Sequence, residues 1–183
     1  KPDSFIVFSA HLDHLGMMGR TTMFPGAHDN ASGTSLLLYL ADYFSKNPPK
    51  YSVAFMGFSG EEAGLMGSKY YAAHPFFSLD KIAMVVNLDM TGDATDGITI
   101  VNGQQQEAAY SRLATINTRK NYLPKLNQRE QTANSDHYSF SEKGVSAIFI
   151  FGLGAKGFYH DVFDVHTELS LNNIDNLANL LID

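Results

Sequence analysis

The chain has 183 residues, of which 44% are hydrophobic and 17% charged, and a formal net charge of −6. That length supports a domain with its own core, and an acidic balance without any Lys/Arg cluster argues against a nucleic-acid surface. No apolar stretch reaches the length of a membrane span, and with no cysteine any bound metal must use His, Asp and Glu.

Phe5-Ile6-Val7-Phe8-Ser9-Ala10 reads as a buried strand. It delivers His11-Leu12-Asp13-His14 at its end. His and Asp two apart on extended chain project to one side, which lets the Asp13 carboxylate accept a hydrogen bond from the far nitrogen of His11. Residues 16–26 look like a loop. Gly26-Ala27-His28-Asp29-Asn30-Ala31-Ser32-Gly33 precedes an apolar run of helical length, which ends before Asn47-Pro48-Pro49. Asp29 or Asn30 could cap that helix. Asn30-Ala31-Ser32 matches the N-glycosylation pattern, but its small neighbours look packed.

Tyr51 to Met56 forms a second strand and leads into Phe58-Ser59-Gly60-Glu61-Glu62. Adjacent carboxylates there point in different directions, so one can bind a metal while the other moves a proton. A short helix covers roughly 65–73. Residues 81–86 make a third strand, ending in Asn87-Leu88-Asp89, and residues 98–101 a fourth. Residues 104–120 are an amphipathic helix, and 122–134 are polar and irregular. Ser135 is a plausible cap for a short helix through Asp136, His137 and Phe140. A fifth strand spans 145–151, a loop carries Tyr159-His160-Asp161, and a helix closes the chain from about Leu171. Alternating strands and helices predict an α/β fold, a three-layer α/β/α sandwich with a mostly parallel, mixed central sheet.

Gly152-Leu153-Gly154-Ala155-Lys156-Gly157 fits the GxGxxG fingerprint. No helical apolar period follows it, so nucleotide binding is disfavoured. His11, Asp29, Glu62, Asp89 and His160 are more specific, because all fall at strand ends or in the loops that follow. This oxygen and nitrogen set suits zinc. It is too large for one tetrahedral ion and fits two ions about 3.5–4 Å apart that share a carboxylate. His14, His28, His74, His137 and His166 read as hydrogen-bonded or exposed side chains, with His166 the one serious rival to His160.

The sequence resembles the zinc aminopeptidases of the co-catalytic di-zinc exopeptidase group, which also includes glutamate carboxypeptidases. The matching blocks are HLD at 11–13, GAHDNASG at 26–33, GEEAGLMGS at 60–68, NLD at 87–89, SDHYSF at 135–140 and YH at 159–160. The resemblance implies two Zn²⁺ per chain, with Asp29 bridging both. His11 and Asp89 would complete one site, and Glu62 and His160 the other. It implies Glu61 as general base, Tyr159 as oxyanion donor, a cis Asp29–Asn30 bond, and Asp136 lining the pocket for the substrate's first residue. The substrate would be a peptide with a free N-terminus, and the enzyme secreted or periplasmic; the many aromatic residues near the site loops point to an apolar first residue. The chain opens at Lys1 without Met, and the family usually has more chain before this strand. Residues 1–183 are therefore expected to be a single catalytic domain lacking an N-terminal portion. A glutaminyl cyclase, a carboxypeptidase or a metal-free binding module on this fold are the competing expectations. The cyclases carry Trp where Tyr159 stands, and this chain has no Trp.

Overall fold

The computed structural model describes residues 3–183. In chain order it has β1 (Phe5–His11), a hairpin of β2 (Gly16–Met18) and β3 (Thr22–Phe24), α1 (Gly33–Lys46), β4 (Ser52–Phe58) and α2 (Met66–Ala73). There follow β5 (Ile82–Leu88), β6 (Gly97–Val101), α3 (Glu107–Lys120), β7 (Leu126–Gln128), α4 (His137–Ser141), β8 (Ala147–Leu153) and α5 (Ile174–Ile182). Six strands form one sheet in the order β4-β1-β5-β8-β6-β7. All neighbours run parallel except β6 and β8, which are antiparallel.

Alternation along each strand sends side chains to two separate cores. Val7 and Val85 pack with Phe58, Tyr71 and Phe140, beneath α2 and α4. Phe8, Ala10, Val86 and Leu88 face the other way, against Leu36 and Leu40 of α1, Ile116 of α3 and Leu177 of α5. The result is the expected three-layer arrangement. α1 buries Leu36, Leu37 and Leu40 along one face. It ends at Asn47, where the following Pro-Pro pair cannot continue a helix.

Parallel order has a direct consequence for chemistry. Strands β4, β1, β5 and β8 all end on the same edge of the sheet, so the segments after them converge. The crevice at strand carboxyl ends is where open α/β sheets place their sites. Gly33 helps close it, because a Cβ there would strike the Asn30 side chain and the Leu88 carbonyl.

Two stretches differ from the sequence expectation. Residues 16–26 contain the β2–β3 hairpin rather than an unstructured loop; Gly16 and Gly19 both have positive φ, the backbone freedom that hairpin turns use. The polar stretch 122–134 contains β7, which pairs with β6 through the backbone and needs no apolar alternation to do so. Ser135 does not cap α4. Asp136 holds the N-cap position without a side-chain capping bond.

Phe140 is fully buried and contacts the rings of Phe58 and Tyr71, joining α4 to the sheet and α2. Phe140→Ala is expected to cost about 3–5 kcal/mol of stability, read by denaturant unfolding. A loss below about 1 kcal/mol would show that this second core is not a unit of stability.

Candidate metal centre

His11 ends β1 with its imidazole almost fully buried. Its Nε2 lies 3.2 Å from Asp29 Oδ1 and 3.3 Å from Asp89 Oδ1. On the other side of Asp29, His160 Nε2 lies 3.3 Å from Asp29 Oδ2 and 3.1 Å from Glu62 Oε2. Donors on a tetrahedral ion with bonds of about 2.0–2.1 Å are separated by about 3.3 Å. In both trios the imidazole-to-carboxylate distances have that spacing, and Asp29 belongs to each. His11 Nε2 and Asp89 Oδ1 are buried without hydrogen-bond partners. Buried polar atoms rarely stay unsatisfied, so the donor set fits bound divalent cations. Donor atoms of His11, Glu61 and Asp89 also come within 4.8 Å of one another, as do those of His14, Asp29 and Glu62.

Local structure explains how Asp29 reaches this position. An irregular helical turn over Ala27–Ser32 leads into α1, and the Asp29–Asn30 peptide bond within it is cis. Asp164 grips the turn from outside: its carboxylate accepts from the His28 N–H at 2.7 Å and the Asp29 N–H at 3.0 Å. Asn30 grips it from inside. Its side-chain NH₂ donates to the Leu88 carbonyl at 3.0 Å, and its oxygen accepts from Gly33 and Met90 N–H. Asn30 is therefore buried, in keeping with packing rather than glycosylation.

Asp89 is held by a chain of polar side chains. Ser9 donates to the Asn87 side-chain oxygen at 2.8 Å, the Asn87 NH₂ donates to Ser135 at 2.7 Å, and Ser135 donates to Asp89 Oδ2 at 2.7 Å. Sequence reasoning missed this chain and missed Asp164. The one available signal was a carboxylate four residues after His160 in the same loop.

Other expectations shift. The Asp13 carboxylate is 3.8 Å from His11 Nδ1, and the Asp13 backbone carbonyl at 3.0 Å is the acceptor instead. The strand ends at His11, so alternation no longer governs Asp13. Its carboxylate accepts from the Glu61 N–H at 3.3 Å and so steadies the acidic pair. Asp136 is fully buried, beneath the site, and does not line the cleft. His14 is neither exposed nor conventionally hydrogen-bonded: it lies inside the cluster, with Nδ1 2.7 Å from Glu62 Oε1. His137 is fully buried, and burial drives its pKa down to about 4 against the opposing pull of the Ser135 and Thr132 backbone.

Above the cluster opens a cleft of about 410 Å³. Asp29, Glu61, Asp89 and His160 face it, with Met90, Phe149 and Phe151 as apolar lining. Tyr159 is 63% exposed at its edge and stacks on the His160 ring at 3.9 Å. His160 itself has φ 53, a left-handed conformation uncommon outside glycine.

Residues 1–183 match the model of peptidase family M28. The chain belongs to peptidase family M28. It is 29% identical over 166 residues to Aminopeptidase YwaD of Bacillus subtilis, covering 83% of this chain and 33% of that protein. It superposes on an aminopeptidase from Aneurinibacillus sp. strain AM-1 with a TM-score of 0.81 and 28% identity, over 97% of this chain and 42% of that one. A glutaminyl cyclase from an Acidobacteriales bacterium shares the fold, at TM-score 0.85 and 22% identity over 100% and 68% of the two chains. The chain therefore spans about a third of the length of YwaD. This likeness to M28 aminopeptidases agrees with the resemblance carried by the sequence blocks.

The charge of the M28 cluster is visible in its proton affinities. Burial pulls the His11 imidazole down, but Asp29 and Asp89 together outweigh it and push it up to about 11. Burial raises Glu61 to about 8, with Asp89, Asp136 and Glu62 adding to it against the opposing pull of His11. Burial, then Asp29, raises Glu62 as well. Groups with raised values bind more protons folded than unfolded, so stability falls as they lose them. With metal removed by chelation, the melting temperature is expected to fall as pH rises from about 5 to 8, the range between the ordinary Glu61 value of 4.5 and its raised value of about 8. With ions bound, protons are displaced and that fall should vanish. Calorimetry of both forms checks this; a chelated protein that melts higher at pH 9 contradicts it.

Proposed function

We propose that this chain is the catalytic domain of a metallo-aminopeptidase that binds two zinc ions. The observation that carries the reading is the pair of donor trios sharing Asp29 at the floor of a cleft. The named aminopeptidases among its relatives support the same reaction class. Two divalent ions, when bound, would polarise a substrate carbonyl and acidify a water. His11, Asp29 and Asp89 would hold one, and Asp29, Glu62 and His160 the other.

The protein's own groups do the rest. Glu61 is half-buried beside the trios without being needed in either, and partial burial raises its carboxyl to about 8. A base so poised can take a proton from water and return it to the leaving amine. Burial, then the nearby carboxylates, lift the Tyr159 phenol to about 12, so it stays protonated and can donate to the oxyanion. An acidic floor favours a substrate's ammonium group, and Met90, Phe149 and Phe151 suit an apolar first side chain. A secreted or periplasmic location belongs to the reading on the family resemblance alone.

Cyclisation of N-terminal glutamine is the other chemistry met on this fold. The complete second trio and the phenol beside His160 favour hydrolysis. Free-amine aminoacyl substrates should be cleaved and their N-acetylated forms should be poor substrates. Cyclisation without hydrolysis would reverse the assignment.

Glu61→Gln should retain both ions and lose roughly 10²–10⁴-fold in kcat, because it removes a proton carrier and not a donor to metal. Asp29→Ala should bind neither ion. Full activity in Glu61→Gln would exclude the proposed base, and two retained ions in Asp29→Ala would exclude the shared carboxylate; metal analysis and steady-state kinetics read both.

A further inference from the structure

His14 is the cluster residue left without a role. Its side chain is 7% exposed and stands edge-on to the His160 ring at 5.6 Å. Nδ1 is 2.7 Å from Glu62 Oε1 and 3.8 Å from Asp29 Oδ2. Neither His14 ring nitrogen, nor Glu62 Oε1, has an aligned hydrogen-bond partner. Two acceptor atoms repel at 2.7 Å, so a proton or a cation must lie between them.

The second oxygen of Glu62 decides which. Oε2 is the one at the 3.1 Å spacing from His160 Nε2 and thus the one aimed at the cation. Oε1 is left for a proton. A 2.7 Å approach is also shorter than the spacing of about 3.3 Å for donors sharing a tetrahedral zinc; its length, though not the alignment of its N–H, is that of a charge-assisted hydrogen bond. We propose that His14 is a positioning residue for the second metal site, holding Glu62 through Oε1 so that Oε2 faces the ion. The inference rests on the two-ion reading above.

A consequence is that the two sites differ in what supports them. Asp89 is set by the Ser9–Asn87–Ser135 chain, while Glu62 depends on His14. Outer partners of metal ligands are worth about 10–100-fold in affinity. The test is stepwise Zn²⁺ titration of the metal-free protein by calorimetry, with metal content per chain after dialysis. In His14→Ala the second ion should bind about 10–100-fold more weakly and the first unchanged. The unchanged first step also reports that the variant is folded. In His14→Gln an amide N–H can still reach Oε1, and second-ion affinity should recover to within a few-fold of wild type. Equal binding of both ions by His14→Ala overturns the inference. So does a Gln variant as weak as Ala, which would make His14 a direct donor to the metal. A single ion in the wild-type protein would instead overturn the two-ion reading itself.

Discussion

One carboxylate, Asp29, stands between two imidazoles, with Oδ1 toward His11 and Oδ2 toward His160. Everything else in the site is arranged around keeping it there. Asp29 is nearly fully buried among Glu61, Glu62 and Asp89, a concentration of negative charge that burial makes costly. The fold meets that cost in two ways. It donates the Ser135 hydroxyl to Asp89, and it sets other oxygens of the group against the imidazole nitrogens of His11, His14 and His160. A carboxylate so placed cannot drift, because Asp164 holds the turn on one side and Asn30 holds it on the other.

The sheet makes this economical in sequence. Parallel strands β4, β1, β5 and β8 supply the acidic pair, His11, Asp89 and the Tyr159–His160 loop from widely separated parts of the chain. Each side chain inherits its position from a rigid strand end. His160 is the exception. Its ring is 33% exposed, it lies on a loop beyond β8, and its partner Tyr159 is open to solvent. The half of the site nearer the loop is thus built from less buried groups than the half around His11.

Strand and helix order, the layer arrangement and the cluster around Asp29 were legible in the sequence because apolar runs are interrupted by His, Asp and Glu at strand ends. What was not legible came from residues whose direction no pattern encodes. Alternation predicts where Asp13 points only if the strand continues, and β1 stops at His11. Asp136 sits in a block shared with the family, yet its neighbours turn it into the interior and not toward the cleft. β7 pairs through its backbone, so its side chains carry no period. Asp164 and His14 gave only the fact of being near other site residues, and the inward turn of each depends on contacts across more than one loop.

The acidic floor also bears on what the cleft can select. In the metal-free protein the cluster holds protons that it would ordinarily lack: His11 stays charged to about 11 and Glu61 stays protonated to about 8. Cations would displace those protons, since metal ligands must be deprotonated to bind. Glu61 then faces two opposing demands. Nearby positive charge favours its ionised form, and burial disfavours it. A general base works best when neither demand wins by much. With cations bound, the polar support on Asp89 and Glu62 would set how close they come and therefore where that balance falls. On the proposed reading, Ser135 and His14 would share in setting the proton affinity of Glu61 without touching a substrate themselves.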